Sequence, residues 1–261
     1  MDRRQFKDAT VVFVVVHYEY ECVALTITNM VGIVESVPNT YLVIINSKAT
    51  PQIQEFLATI SSDRVDIVHL PINFGFNNCI NYYIRDFISD ENLPSTIMQM
   101  GSDILFNQKD FETLVDAITH LPSHGTIGLS YENNACNPER NVLNAKNVRG
   151  SNGKLYPIRH TFLCPVAGGI MGIRGSILRD HLNYKLFHPK HMPRQYHDIL
   201  GVGGADAALY NALKWRFKCG YIAETTALHM KSRDGSIVDI PPHWRSYIQD
   251  VNPQGINLKN E

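Results

Sequence analysis

An acidic residue, Asp103, is separated only by Gly101 and Ser102 from a short apolar run at 96–100, and apolar residues resume immediately after it. An Asp in this position lies at the carboxyl-terminal edge of a buried strand, where open α/β sheets bind ligands. Burying an unpaired charge is costly, so the carboxylate needs a helix N-terminus, a basic side chain or a divalent cation as its partner. The simpler alternative is that Asp103 caps the turn after the strand.

A second candidate lies between a predicted strand and a predicted helix, in the segment Asn73-Phe-Gly-Phe-Asn-Asn-Cys-Ile-Asn81. Gly75 permits a positive φ or a close approach of the backbone, and the Asn amides can hydrogen-bond a nucleobase or a ribose. Free N–H groups at the start of the helix suit an anion. The alternative is that Asn77 simply caps the helix.

The third and fourth candidates come late in the chain. Glycines at 201, 203 and 204 lead into a helix whose first turn contains Asp206. Asp206 either does chemistry or only complements the helix dipole. His229 ends an apolar strand and is followed by Lys231 and Arg233, a pattern that suits either a hydrogen-bonded structural His or a site for a diphosphate. The histidines at 188, 191 and 197 match no metal-binding spacing.

Composition excludes several classes of protein. The chain has 261 residues, of which 44% are hydrophobic and 19% charged, with a formal net charge of −1. These values fit a soluble globular protein without a global attraction to nucleic acid or an anionic membrane. The apolar run at 11–16 is too short for a signal peptide or a membrane span. The cysteines lack any CxxC spacing, which favours free thiols in a reducing, cytoplasmic setting; they are Cys22, Cys79, Cys136, Cys164 and Cys219.

The elements that must position these residues alternate between β-branched runs and helical periodicity, which predicts repeated β-α-β units in a mostly parallel sheet. The predicted strands are 11–16, 41–45, 65–70, 96–100, 125–130 and 221–230, and the predicted helices are 21–35, 51–60, 76–88, 111–119 and 205–217. The second half is more elaborate, with an Asn-rich loop or hairpin at 132–160 and a His-rich loop at 187–204. We expect one domain over 1–261: a binding half at 1–131, an acceptor and catalytic half at 132–230, and a polar tail at 231–261.

Taken in this order on this strand pattern, the segments resemble a family 2-type glycosyltransferase of the GT-A fold, over about residues 11–230. That family combines an N-x-G-F segment with a second Asn, a strand ending in D-x-D, a Gly-containing acceptor strand, an E-D pair at a helix start and a late His. The resemblance implies that Asp103 and His229 hold Mn²⁺ or Mg²⁺ against the donor diphosphate and that Asp206 is the catalytic base. It implies that the nucleotide sugar is bound by Tyr18, Asn46, Asn73, Gly75, Asn81, Ser102, Lys231 and Arg233, and that Gly168, Gly169 and Gly204 lie on the acceptor side.

The sequence departs from the family pattern at three places. Gly101 replaces the first acid of D-x-D, and Ala205 replaces the first acid of the E-D pair. Asn46 follows Ile45, where many relatives carry Asp-Asn, so the identity of the nucleotide is open. Loss of the first acid does not abolish metal binding, because hard cations accept a few protein oxygens together with phosphate and water.

The resemblance therefore predicts a metal-assisted, inverting glycosyltransferase that moves a hexosyl or pentosyl group from a nucleotide-sugar donor, with UDP favoured, to an acceptor hydroxyl. The acceptor remains open among a saccharide, a lipid-linked molecule, a protein and a modified nucleic-acid base, and no stable membrane insertion is expected. One alternative is a non-catalytic nucleotide- or sugar-binding module on the same scaffold. A nucleotidyltransferase or other Rossmann-like enzyme is a third possibility, although the chain lacks both a G-x-G-x-x-G segment and a P-loop.

Overall fold

The computed structural model describes residues 5–132, 143–161, 165–166, 169–191, 205–231, 240–244 and 246. Within these ranges, ten strands form one sheet with helices packed against it. The strands are β1 (Thr10–Val16), β2 (Thr40–Ser47), β3 (Val65–Leu70), β4 (Thr96–Met100), β5 (Ile104–Phe106), β6 (His124–Tyr131), β7 (Lys146–Arg149), β8 (Leu155–His160), β9 (Ile170–Arg174) and β10 (Lys218–His229). The helices are α1 (Tyr20–Ser36), α2 (Pro51–Ala58), α3 (Phe76–Phe87), α4 (Gln108–His120), α5 (Gly175–Asp180) and α6 (Ala205–Leu213), with short 3-10 turns at 90–92 and 189–191.

The first half is the parallel sheet that the sequence predicts. Strands β3, β2, β1 and β4 lie side by side in that order, and all three pairings are parallel. Nearly all residues of β1 are buried, because helices must cover both faces of a parallel sheet joined by β-α-β crossovers. All four strands therefore direct their carboxyl ends to the same edge, which is where β-α loops can build a site.

The second half is mixed rather than parallel. β9 is antiparallel to both of its neighbours, β4 and β6, while β6 and β10 are parallel to each other. The sheet ends in the antiparallel hairpin of β7 and β8, whose tip contains Gly153 with φ of 82°. The sequence left 132–160 open as a loop or a hairpin, and the structure shows a hairpin in its second part, 146–160.

A bulge in β10 changes its neighbour along the strand. Its first part pairs with β8, and after an irregularity between Ile222 and Ala227 its last part pairs with the three-residue β5. The irregular region is held by the Thr225 hydroxyl, which donates to the Ile222 carbonyl at 2.9 Å, and by Asp110, which accepts from the Thr226 N–H at 3.0 Å. Burial raises the pKa of Asp110, and the hydrogen bonds that it accepts from the Thr226 N–H and from the Asn107 side chain oppose that rise. The bulge thus aims the end of β10 at the turn after β4.

Side chains of α1 bond to the other edge of β5. The Thr26 hydroxyl donates to the Ile104 carbonyl and accepts from the Ile104 N–H, both at 3.2 Å, and Asn29 Oδ1 accepts from the Phe106 N–H at 3.3 Å. Buried backbone groups need partners, and here two polar residues on a buried helix face supply them. The helical pattern of α1 was predicted, whereas β5 was not.

Two sequence predictions need correction. α6 ends at Leu213 rather than at 217, because residues 214–217 form a turn that leads into β10. Part of the predicted polar tail also packs on the core: Trp244 is buried, and its indole N–H donates to Glu132 at the end of β6, at 2.8 Å.

Of the five cysteines, Cys22, Cys79 and Cys219 lie in described ranges and are buried and unpaired with each other, as predicted. Among the described helices, none combines the length and the apolar character needed to cross a bilayer.

Candidate functional site

The turn between β4 and β5, residues 101–103, is held against the end of β10. The Met230 N–H donates to the Asp103 carbonyl at 2.8 Å, and His229 lies opposite Ile104 in the β5–β10 ladder. On its other side, the Gly101 N–H donates to the Gly169 carbonyl at 2.7 Å. The fold therefore brings Asp103 next to His229, two residues 126 positions apart in the sequence.

Asp103 and His229 face each other. Asp103 Oδ2 lies 3.6 Å from His229 Nε2, and the two side chains are 19% and 20% exposed. His229 Nδ1 lies 2.7 Å from the Lys231 carbonyl oxygen, which can only accept, and 3.3 Å from the Lys231 nitrogen, whose N–H can only donate. The shorter contact assigns the proton of a neutral ring to Nδ1. Nε2 is then the basic nitrogen directed toward Asp103. A backbone carbonyl that fixes the tautomer in this way is the usual outer partner of a metal-ligating His.

Gly101 makes room for the Asp103 carboxylate. A Cβ built on Gly101 would lie 2.6 Å from Asp103 Oδ1 and 3.3 Å from Ile104. The carboxylate of Asp103 thus occupies the space next to the position where the D-x-D pattern has its first acid. The observed conformation of Asp103 therefore depends on the glycine at 101, where the family pattern has an acid. Ser102, between them, is partly buried.

A cation and a second acid lie beside this pair. Lys231 forms an ion pair with Glu19, and its Nζ lies 5.4 Å from the centre of the Tyr18 ring. Burial lowers the pKa of Lys231, but the hydrogen bond and charge of Glu19, helped by Asp103, outweigh it and raise the pKa above its ordinary value. Lys231 is therefore a firmly charged cation at this edge of the sheet. We call these five residues the Asp103 cluster: Tyr18, Glu19, Asp103, His229 and Lys231.

Glu19 was not identified from the sequence as part of the site, since it reads there as an ordinary acid before a helix. In the structure its backbone is left-handed, with φ of 67° and ψ of 67°. A non-glycine residue in that region costs about 1 kcal/mol or more and recurs at functional loops. Cys22, one turn further along α1, is buried, and burial together with the charges of Asp103 and Glu19 raises its pKa to about 11. Cys22 is a neutral thiol rather than a nucleophile.

A second network, which we call the Asn73 network, joins the ends of β2 and β3 to the start of α3; it consists of His17, Ser47, Asn73 and Gly75. The Ser47 hydroxyl donates to Asn73 Oδ1 at 3.0 Å, and the Gly75 N–H donates to the same oxygen at 2.8 Å. Gly75 has φ of 77°, a conformation that favours glycine, and this brings the chain into α3. The Ser47 carbonyl lies 2.7 Å from His17 Nδ1, so the network reaches the residue next to Tyr18.

The other two predicted Asn contacts are engaged within the protein. Asn46 is 3% exposed; its Oδ1 accepts from the Ala49 N–H at 2.8 Å, and its Nδ2 lies 2.9 Å from His69 Nδ1. Asn81 is bonded twice to the backbone of Phe187, at 2.6 and 3.1 Å. Both amides thus fix neighbouring segments of the protein through these bonds.

Asn77 presents the opposite situation. Its side chain is also 3% exposed, in the first turn of α3, but neither Oδ1 nor Nδ2 has a hydrogen-bond partner among the residues that the structure describes. Buried polar atoms without partners are rare, and each calls for an explanation. The sequence left Asn77 open between a helix cap and one of the Asn amides that meet a ligand; in the structure Gly75 occupies the cap position, and no side-chain capping bond forms there.

The remaining predicted residues are distributed as follows. Gly169 lies against Tyr131, whose hydroxyl accepts from the Ile170 N–H at 2.7 Å, and a Cβ at 169 would lie 2.1 Å from that hydroxyl oxygen. Asp206 is in the first turn of α6, with Oδ1 2.7 Å from the Ala207 nitrogen; it belongs to neither the Asp103 cluster nor the Asn73 network as defined above. Gly168, Gly204 and Arg233 lie outside the described residues.

The Asp103 cluster has the chemistry for a divalent cation with few protein ligands. It offers one carboxylate and one imidazole nitrogen side by side, both partly exposed, with no third His, Cys, Asp or Glu completing a metal-binding group among the described residues. Mn²⁺ and Mg²⁺ are commonly held by one or two carboxylates or imidazoles together with phosphate oxygens and water. The residues present therefore fit such an ion when a phosphate ligand shares it.

No model of a known protein family matches the sequence, and no curated protein sequence matches it. Many solved structures resemble the chain, among them the following three. A mannosyltransferase from Pyrobaculum calidifontis, in complex with GDP-Man and Mn²⁺, has a TM-score of 0.57 at 12% identity, with 94% of this chain and 70% of that one covered. GalNAc-T7, with UDP, GalNAc and Mn²⁺, has a TM-score of 0.60 at 9% identity, with 93% and 47% covered.

The third structure, the inositol-1-phosphate CTP transferase from T. maritima, has a TM-score of 0.52 at 11% identity, with 95% of this chain and 98% of that one covered. The chain thus spans less than half of GalNAc-T7 but nearly all of the CTP transferase. These similarities show the fold: a GT-A, nucleotide-sugar transferase-like α/β fold, as predicted from the sequence.

Proposed function

We propose that this chain is a glycosyltransferase that takes a sugar from a nucleotide-diphosphate donor and transfers it to an acceptor hydroxyl. The observation that carries the proposal is the Asp103–His229 pair, 3.6 Å apart at the carboxyl edge of the sheet, with the charged Lys231 beside it. This edge is where α/β sheets of this type bind ligands. A metal ion held by this pair, together with the neighbouring lysine, would give a positively charged site that suits a diphosphate better than a neutral ligand.

Asp103 and His229 would hold the divalent metal, Mn²⁺ or Mg²⁺, which when bound supplies Lewis-acid stabilisation of the charge on the departing nucleotide diphosphate. Lys231 would contribute a fixed positive charge to the same diphosphate, and its ion pair with Glu19 keeps its ammonium group positioned when no donor is bound. Arg233 remains a proposed further cation. Ser102, between Gly101 and Asp103, is the neighbouring hydroxyl in the same turn.

The nucleoside would lie over Tyr18 and the Asn73 network. Tyr18 is 56% exposed and edge-on to His17, so its ring has a face available for stacking. Asn73 and Gly75 set the shape of the loop. Asn46 and Asn81 remain proposed contacts of the donor, and their bonds to Ala49, His69 and Phe187 fix the segments around them. A UDP-sugar is the favoured donor.

Asp206 is proposed as the base that takes the proton from the acceptor hydroxyl, on the acceptor side with Gly168, Gly169 and Gly204. Its place in the first turn of α6 favours the ionised form, so it gains basicity only as the closed site excludes water. Direct attack with one base inverts the anomeric configuration, and we propose an inverting reaction. A retained configuration in the product would remove Asp206 from this role.

The test is a thermal-shift screen of nucleotide sugars with and without Mn²⁺, followed by transfer assays on the hits. Bound ligand raises apparent stability by mass action, so a donor is identified by a shift that requires both nucleotide and metal. Asp103→Asn should abolish that joint shift, whereas Asp63→Asn, an exposed acid elsewhere on the surface, should leave it unchanged. Asp206→Asn should still show the shift but lose most of the turnover.

Nucleotidyl transfer is the second candidate, because a CTP transferase of this fold is covered over 98% of its length by this chain. The two candidates differ in the bond that breaks: glycosyl transfer releases a nucleoside diphosphate, and nucleotidyl transfer releases pyrophosphate. Release of pyrophosphate from a nucleoside triphosphate would replace the first proposal with the second. Binding without turnover of either substrate class would make the chain a non-catalytic binding module.

A further inference from the structure

A basic and aromatic surface lies far from the Asp103 cluster. The turn between α6 and β10 carries the run Lys214-Trp215-Arg216-Phe217-Lys218, in which cations alternate with aromatic residues. Phe217 turns inward and packs on the core, but Trp215 is 87% exposed, far more than any other large hydrophobic side chain in the described ranges. Lys214 Nζ lies 5.4 Å from the centre of the Trp215 ring. An indole this exposed contacts water over nearly its whole surface, which is unfavourable for the isolated chain.

Other segments complete this surface. A cavity of about 490 Å³ beside the turn is lined by Lys146 from β7, Leu143, which precedes it, and Lys218 from β10, together with Lys214 and Trp215. Leu143 is itself 50% exposed. Because these residues come from separate parts of the sequence, only the fold reveals that three lysines and two exposed apolar side chains share one surface. We call them the Trp215 surface: Leu143, Lys146, Lys214, Trp215 and Lys218.

The electrostatic field of this surface is positive. Among ion pairs of the described residues, none joins Lys146, Lys214 or Lys218 to a carboxylate. His160 also lines the cavity; burial lowers its pKa, and the charges of Lys218 and Lys146 lower it further. The chain as a whole has a formal charge of −1, so this concentration of unpaired cations is local.

The surface is also distant from the proposed active site. Lys218 begins β10 and pairs with His124 at the start of β6, whereas His229 ends β10. Lys218 and His229 thus lie at opposite ends of a twelve-residue strand. A ligand on the Trp215 surface is therefore not a substrate in the proposed reaction, and the surface can be tested independently of it.

We propose that the Trp215 surface docks the protein on an anionic phospholipid bilayer. Trp215 and Leu143 would enter the interfacial layer, where Trp is favoured because its ring is apolar and its N–H is polar. Lys146, Lys214 and Lys218 would contact lipid phosphates around them, each strengthening binding about fivefold. A bilayer fits better than a nucleic acid, because the two exposed apolar side chains need an apolar medium, which a bilayer offers and a nucleic-acid backbone does not.

The experiment is vesicle binding by the full chain. The protein should sediment with phosphatidylcholine vesicles that contain phosphatidylserine and stay in solution with phosphatidylcholine alone, and added salt should release it. The chain has two Trp residues, and Trp244 is buried, so a blue shift of emission and quenching by brominated lipid report on Trp215. Trp215→Ala should weaken binding about tenfold or more. Lys214→Glu with Lys218→Glu should weaken it at least as much, since both changes also reverse the charge.

Lys109→Glu is the matched control, an exposed lysine on α4 whose change alters the net charge as one of the two substitutions does; it should bind vesicles nearly as wild type does. All variants are compared by thermal unfolding, so a folding defect is seen directly. Three outcomes overturn the proposal: no binding to anionic vesicles by folded wild type, vesicle binding that Trp215→Ala leaves unchanged, or tighter binding to an oligonucleotide than to vesicles. Glycosyl transfer is not measured, so failure here leaves the proposed function intact.

Discussion

The conformation of a single carboxylate depends on the residue two positions before it. Asp103 folds back over Gly101, and no larger residue fits at 101 without moving it. Gly101, which stands where the D-x-D pattern has its first acid, thus leaves the room that the carboxylate of the second acid, Asp103, occupies. Asp103 and His229 together can still offer two ligands, one from each side of the β5–β10 ladder.

We predict that Gly101→Ala weakens metal-dependent nucleotide binding without unfolding the protein. The new methyl group would lie 2.6 Å from Asp103 Oδ1, the end of a flexible side chain, so the carboxylate rotates away at low cost to folding. Thermal unfolding should shift by no more than about 4 °C. Titration of nucleotide in the presence of Mn²⁺ measures the affinity. In a double-mutant cycle with Asp103→Asn the losses should not add, and additive losses would contradict the coupling.

Asn77 and Asn46 form a natural comparison, since both are 3% exposed but only Asn46 has hydrogen-bond partners. Replacing an unsatisfied buried amide by an apolar side chain of similar volume removes a desolvation cost. We therefore predict that Asn77→Leu leaves the ligand-free protein equally or more stable in urea unfolding. Asn46→Leu should lose about 1–3 kcal/mol, because it leaves the Ala49 N–H unpaired.

The same pair of variants separates a structural Asn from a ligand contact. If Asn77 meets a bound nucleotide sugar, Asn77→Leu weakens ligand binding while the ligand-free protein keeps its stability. A clear loss of stability in Asn77→Leu would show that its amide has a structural role, and unchanged ligand affinity would exclude it from the site.

At the scale of elements, the position of Asp103 depends on the three-residue strand that follows it. β5 is paired with β10 on one edge and bonded to Thr26 and Asn29 of α1 on the other. A strand this short has little stability of its own, so the helix side chains replace a neighbouring strand.

Thr26→Val should accordingly destabilise the fold by about 2–4 kcal/mol, because the substitution keeps the shape but removes both hydrogen bonds to Ile104. Urea unfolding measures the change. Thr28→Val in the same helix is the control: Thr28 is also buried, and no hydrogen bond of its side chain is found among the described residues. Equal losses in the two variants would indicate that only generic packing in α1 is involved.

The sequence was sufficient for the elements with strong periodicity and insufficient for those defined by tertiary contacts. The β-branched run at 11–16 and the stripe of α3 predict their elements, and Asp103 is correctly placed at a strand end. β5 was not predicted, because three residues are too few to show a hydrophobic periodicity. Its stability depends on hydrogen bonds to Thr26, which is distant in the sequence. Trp244 escaped because it lies in a polar segment, although a lone Trp there was a usable signal. The Trp215 surface was not predicted, because the helical pattern of α6 continues through 217 in the sequence and so places Trp215 within a helix.

For the whole molecule, the two edges of the sheet differ in charge and in use. The carboxyl edge carries the Asp103 cluster, while the opposite edge of β6 and β10 carries a pair of histidines next to the Trp215 surface, the buried His124 and the partly buried His160. His124 and His160 are stacked, with their Nε2 atoms 2.9 Å apart. One Nε2 donates and the other accepts, so the arrangement requires at least one neutral ring. The pair faces Lys218, Lys146 and Arg174 and no carboxylate among the charges that act on it.

This pair makes the stability of the whole protein depend on pH. Burial, reinforced by His160, Lys218 and Arg174, lowers the pKa of His124 from 6.5 to about 4. Between these values the unfolded chain binds a proton at His124 and the native protein does not, so the free energy of unfolding falls as the pH drops below 6.5 and levels off below about 4. At about pH 5 the loss should be about 2 kcal/mol.

Urea unfolding of wild type and His124→Gln at a series of pH values isolates this contribution from that of the carboxylates. Gln can still hydrogen-bond His160 but never charges, so His124→Gln should lose less stability on acidification than wild type does. His181→Gln, a change at an exposed ring, should keep the wild-type dependence. The lowered pKa of His160 leaves a smaller residual slope of the same sign in His124→Gln. If the free energy of unfolding of His124→Gln depended on pH as strongly as that of wild type, the His124–His160 pair would not control acid stability.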